Sequence, residues 1–205
     1  MTGRRSVADA LDTRVAILRR AADIASVEGL EGLTIGRLAA DLEMSKSGVI
    51  GHFGTKEQLQ LATLDHAADL FRQRVWEPVR HLRPGLERLL GICASWTRYA
   101  EAPGFAGGCF IAETSFEWDG RIGPVHDALV VVTGRWRRTL AAEIRTAIAA
   151  GELAADLDPD QAVFGLEALA AGINPARQLH GETQAPTWAL RTMHAILGVS
   201  PAPAR

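Results

Sequence analysis

Phosphate is the chemistry for which this sequence is equipped. Of its 22 basic residues only two, Lys46 and Lys56, are lysines, and each opens a helix-length segment. A cation there opposes the helix macrodipole unless an anion comes to share the site. Ser45, Ser47 and His52 add hydrogen-bonding groups to the same stretch. Gly48 and Gly51 each lower helix propensity by roughly 1 kcal/mol relative to Ala, a choice that suits a backbone approached closely by a partner. Other chemistries lack their parts. The six histidines stand no closer than fourteen residues to one another, and none lies three or four residues from Cys93 or Cys109. No phosphate-cradling Gly loop, G-x-S-x-G or H-E-x-x-H is present. Glu113 and Glu117 are one helical turn apart and read as a solvated face. No catalytic set, metal site or cofactor is expected.

The elements that must position these residues are legible. Thr34 can cap a short helix that turns Leu38, Ala39 and Leu42 to one side. Glu43-Met44 makes a turn, and Ser45 can cap a second helix from Lys46 to about Phe53 with Val49 and Phe53 facing inward. So short a helix is marginal alone and must be held by its neighbours. This is the pattern of a helix-turn-helix, whose second helix enters the DNA major groove. Ahead of it, Val15, Ile17-Leu18, Ala21-Ala22 and Ile24-Ala25 predict a helix over 13–27 ended by Gly29. Residues 1–12, with Arg4, Arg5 and Ser6, read as a flexible arm. After it, Thr55-Lys-Glu-Gln58 resembles a capping box that starts a helix to about Trp76.

Breakers divide the remainder into helix-length pieces at about 85–101, 105–117, 124–150, 159–180 and 186–198. No alternating strand pattern or internal repeat appears. The expected fold is all-α, about nine helices, with a DNA-binding part over 12–67 and a second part over 68–200. Asn174-Pro175 should end or kink its helix. The composition, 47% hydrophobic and 22% charged, is that of an ordinary soluble globular chain with formal net charge −2. Residues 1–66 hold eight Lys and Arg against nine Asp and Glu. DNA affinity must therefore come from the placement of a few cations and not from bulk charge. No apolar run reaches the about 18 residues of a membrane span, and a cytoplasmic location is expected. Cys93 and Cys109 read as small, reduced apolar side chains.

The run Ser45-Lys46-Ser47-Gly48-Val49-Ile50-Gly51-His52-Phe53, with Thr55-Lys56-Glu57 and the preceding helix, resembles the DNA-binding domain of the tetracycline-repressor (TetR) family over roughly residues 12–67. One departure is Ile50, where the family usually has an aromatic that touches the DNA backbone. The resemblance implies a transcriptional regulator, most simply a repressor, that binds double-stranded DNA at an inverted-repeat operator. Lys46, Ser47, Gly48 and Arg37 are expected nearest base edges, with Thr34, Ser45, His52 and Lys56 on the backbone. His52 fits a structural role equally well. A helical binding protein without DNA recognition and a small-molecule enzyme are the competing readings.

The resemblance also implies an apolar effector cavity, for which Trp96, Tyr99, Phe110, Thr114, Phe116 and Trp136 are the candidates; core packing is the alternative for most of them. The last two long helices have few elements left to cover them and are expected to form a homodimer seam through Leu166, Leu169, Ile173, Trp188 and Met193. The helix over 55–76 is the expected lever between effector and DNA.

Overall fold

The computed structural model describes residues 7–200, and the N-terminal Arg4, Arg5 and Ser6 lie outside them. Nine α-helices and no strand occur among the described residues: α1 Val7–Glu28, α2 Ile35–Asp41, α3 Lys46–Phe53, α4 Lys56–Phe71, α5 Leu86–Glu101, α6 Phe110–Trp118, α7 Pro124–Ala149, α8 Pro159–Gln178 and α9 Ala185–Ile196. The first helix starts earlier than its apolar pattern suggests, so residues 7–12 are helix and not arm. The all-α expectation holds. No helix among the described residues is long and apolar enough to cross a membrane.

Helix ends fall where capping groups place them. Thr34 Oγ1 accepts from Arg37 N, Ser45 Oγ from Gly48 N and Thr55 Oγ1 from Gln58 N, at 3.0–3.1 Å. Asp158 accepts from the amides of Asp160 and Gln161, with Pro159 in the first turn of α8. Helix α8 runs through Asn174-Pro175 to Gln178, so the proline does not end it. Helix α4 stops at Phe71, and a π-helical turn, Arg72–Trp76, follows with Glu77 N donating to Arg72 O. The piece expected over 105–117 becomes helical only at Phe110, because Gly108 takes φ +94°.

The chain forms two compact units. Among the described residues, the first joins residues 7–69 to 104–129, and the second joins 70–103 to 130–200. The helix-turn-helix therefore belongs to a body that is not one contiguous stretch. Its core holds Ile17, Ala21, Leu30, Leu33, Leu38, Val49, Leu59, Leu64 and Phe110, all fully buried.

The second unit has its core among Leu89, Ile92, Cys93, Leu140, Ile144, Leu166 and Met193. Burial pushes the Cys93 thiol up to about 12, so it stays protonated and unreactive near neutral pH. At the edge of this core Glu143, nearly buried, accepts from Gly85 N at 2.9 Å and pairs with Arg88 at 3.1 Å. Arg88 also donates to Leu82 O at 2.8 Å. Breaking such a pair strands the other charge. Glu143→Ala is expected to lower unfolding free energy by about 3 kcal/mol, with Arg88→Ala close to it. The double substitution should fall well short of the sum when the urea midpoints are compared.

Candidate nucleic-acid interface

Helices α2 and α3 form the helix-turn-helix, joined by a turn in which Glu43 takes φ +52°, a left-handed conformation uncommon outside glycine. Val49 and Phe53 anchor α3 to the core, which leaves Lys46, Ser47, Ile50 and Gly51 exposed. The far end of α3 is held by a residue that the sequence pattern does not single out. Arg14 of α1 donates to the carbonyl of His52 and lays its guanidinium over the Phe53 ring, 4.2 Å from the centroid. A cation at a helix C-terminus complements the macrodipole, and the ring adds a cation–π contact. This eight-residue helix is thus fastened at both ends, by Ser45 and by Arg14.

The two glycines of α3 differ in role. A Cβ on Gly48 would meet Ser45 Oγ at 3.1 Å, so the small residue makes room for the cap itself. A Cβ on Gly51 would meet nothing within 4 Å, and this is the position open to a partner's close approach.

Two of the expected DNA-facing cations are already engaged. Lys56 Nζ donates to Glu31 O at 2.8 Å and to Glu31 Oε1 at 3.2 Å, so the anion sharing its helix start is a carboxylate of the chain. That bond, with one from Gln60, holds the Glu31 carboxyl below the usual range. Arg37 lies 3.3 Å from Glu28 and 3.2 Å from Asp41, and Asp41 also takes two bonds from Arg20. The Arg20 bonds hold the Asp41 carboxyl low. Lys46 remains exposed, its chain lying over Gly36 at the start of α2. His52 is half-buried beside Phe53, with ring centroids 6.3 Å apart.

Residues 104–118 are clasped to this same unit. Glu117 accepts from the amides of Leu30 and Glu31 at 2.7 and 2.9 Å. Ala106 N donates to Asp23 and Gly107 N to Ser26 Oγ. A Cβ on Gly107 would lie 1.8 Å from the Ser26 carbonyl oxygen, and one on Gly29, at φ +78°, would lie 3.0 Å from the Glu117 carboxylate. Glu117 therefore does not sit on a solvated face, which corrects the expectation from its spacing to Glu113.

The other expected site residues are distributed as follows. Trp96, Tyr99 and Trp136 come together in the second unit around Phe71, with ring centroids 5.1–6.0 Å apart and planes within 83–89° of each other. Phe71 is an addition to the expected group, although its place in the apolar stripe of α4 marks it as inward. Trp136 Nε1 is buried with no hydrogen-bond partner. Phe110, Thr114 and Phe116 belong to the first unit. Phe110 packs on Phe105 and Thr114 is buried, but Phe116 is 61% exposed, which corrects its inward assignment. Of the expected seam residues, Leu166, Ile173 and Met193 are buried within the chain's own core, Leu169 is partly buried, and Trp188 is 50% exposed. The expectation that Leu166, Ile173 and Met193 face a partner is corrected accordingly. The outward stripe of α8 is instead Phe164, Ala168, Gly172, Pro175 and, just past its end, Leu179; the spacing of three and four keeps them on one face.

The family model for the tetracyclin repressor-like C-terminal domain matches residues 85–193, and that for bacterial regulatory proteins of the tetR family matches residues 17–63. The chain belongs to the TetR family of transcriptional regulators. A TetR regulator from Chloroflexus aurantiacus is 25% identical, with TM-score 0.85 over 95% of this chain and 98% of that one. A TetR-family regulator from Cytophaga hutchinsonii is 21% identical, with TM-score 0.80 over 97% and 100%. AibR, solved with isovaleryl coenzyme A and operator DNA, is 20% identical, with TM-score 0.73 over 88% and 97%. No curated protein matches the chain. As a TetR-family member it is a DNA-binding regulator and not an enzyme.

Lys46→Ala is expected to reduce the slope of log affinity against log salt by about 0.9 for each phosphate that the ammonium neutralises. Arg14→Ala removes a positioning group, so it should weaken binding while leaving that slope unchanged. Filter binding across a salt series checks both.

Proposed function

We propose that this regulator is a cytoplasmic repressor that binds an inverted-repeat operator as a homodimer and leaves it when a small, mainly apolar ligand binds. The observation that carries the ligand reading is the aromatic group of Phe71, Trp96, Tyr99 and Trp136, with the buried Trp136 indole N–H lacking an acceptor. An unmade buried hydrogen bond costs about 1–3 kcal/mol, so a ligand that brings an acceptor to Nε1 recovers it. The fitting effector is an apolar molecule with one carbonyl or ether oxygen. The rings close on each other at present, so the ligand must part them, and Phe71, at the junction of α4 and the π-helical turn, is the ring whose backbone is most readily shifted. AibR, similar in fold, was solved with isovaleryl coenzyme A and operator DNA, which supports a ligand site and a DNA site on one such chain.

Helix α4 is the route from this group toward the DNA. It carries Phe71 at one end and Lys56 at the other. A ligand that favours one arrangement over the other by about 3 kcal/mol shifts operator affinity about 150-fold.

Dimerisation is supported by the outward stripe of α8. Phe164 is 66% and Leu179 76% exposed, with Ala168 and Gly172 between them allowing a second helix close approach, and Trp188 of α9 adds an exposed ring. Two linked recognition helices also nearly double the base and phosphate groups within reach of an eight-residue α3. The seam is therefore assigned to Phe164, Ala168, Gly172, Leu179 and Trp188.

Thermal-shift screening followed by operator titration tests the ligand reading. Compounds that raise the melting temperature should weaken operator binding by about 100-fold, whereas stabilising compounds that leave affinity unchanged would contradict it. For the seam, Phe164→Asp with Trp188→Asp is expected to give a folded monomer at micromolar concentration by sedimentation and to abolish tight operator binding. Persistence of the dimer would refute that assignment.

A further inference from the structure

We infer that Ile50 is a specificity-determining residue that reads the C5-methyl group of a thymine in the major groove. The inference rests on α3 being the DNA-reading helix. Ile50 is 42% exposed on α3, although Val49 and Phe53 already supply that helix's packing and are buried. It shares the outward edge with Lys46 and Ser47, four and three residues before it, and with Gly51 beside it. The side chain holds no polar atom, so it can bond neither a phosphate oxygen nor a base-edge donor or acceptor. Among the features that base pairs present in the major groove, the thymine methyl is the apolar one. Gly51 leaves open space next to it, which lets this edge of the helix lie close to the groove floor.

The full-length protein is first used to select its preferred duplex from a random pool. Each thymine of that duplex is then replaced singly by deoxyuridine, which deletes only the methyl. Wild-type protein should lose about fourfold in affinity for one thymine in each half-site, roughly what burial of one methyl contributes. Ile50→Ala should bind the thymine and uracil duplexes equally, Ile50→Val should retain most of the discrimination, and the salt slope should be the same for all three proteins. An exposed side chain on α3 leaves the core untouched, and equal melting temperatures would establish that the variants are folded. A selected site lacking thymine, wild-type indifference to every deoxyuridine, or discrimination that survives in Ile50→Ala would overturn the inference.

Discussion

The carboxylate of Glu117 lies against the turn that follows α1, and much of the arrangement depends on that contact. The turn must expose the amides of Leu30 and Glu31, because α1 has ended and α2 has not begun. A single side chain from about 86 residues further along satisfies both amides. The approach is close enough that Gly29 is needed beneath the carboxylate and Gly107 against Ser26. Through these bonds the segment 104–118 becomes part of the body that carries the recognition helix. A charged hydrogen bond of this kind contributes about 1.5–3 kcal/mol, more than a surface ion pair. The clasp is thus a stronger tie than the Arg20, Arg37 and Asp41 network on the same unit, which is largely solvent-exposed.

Charge placement is equally restrictive. The DNA-binding part has no cationic excess, and the structure commits Arg37 and Lys56 to carboxylates of the chain. Among the described residues of α3, the exposed edge proposed to face DNA is Lys46, Ser47, Ile50 and Gly51, with Lys46 its cation. Weak bulk attraction limits non-specific binding, so discrimination must come from the fit of this edge and, in the proposed homodimer, from its duplication. Anchoring both ends of α3 keeps the edge in one geometry. Arg14 therefore supports the proposed DNA-facing edge although it need touch no nucleotide.

The all-α fold, the boundaries of α2 and α3, and the three serine and threonine caps are legible in the sequence, because periodicity and capping are local. What is not legible depends on pairings across long separations. Glu117 and Glu113 look like a solvated pair, and nothing nearby in sequence announces that one of them meets amides near residue 30. Arg14 is hidden for the same reason, since its partner lies 38 residues away. At α8 and α9 it is helical phase that misleads. Leu166, Ile173 and Met193 are the more apolar set and therefore the chain's own core, while the outward face mixes Phe164 and Leu179 with small residues. Phe71 can be placed with the tryptophans from its stripe, but the π-helical turn after it leaves no signature in composition.

If residues 104–118 and the helix-turn-helix act as one body through the Glu117 clasp, loosening the clasp must be felt at the DNA. Operator affinity of Glu117→Ala, measured without any ligand alongside hydrogen exchange of the Leu30 and Glu31 amides, tests this most directly. The expected result is faster exchange at both amides, operator binding weakened about tenfold, and a salt slope equal to wild type, since every phosphate-binding group is still present. Wild-type affinity in the face of accelerated exchange at those amides would contradict it.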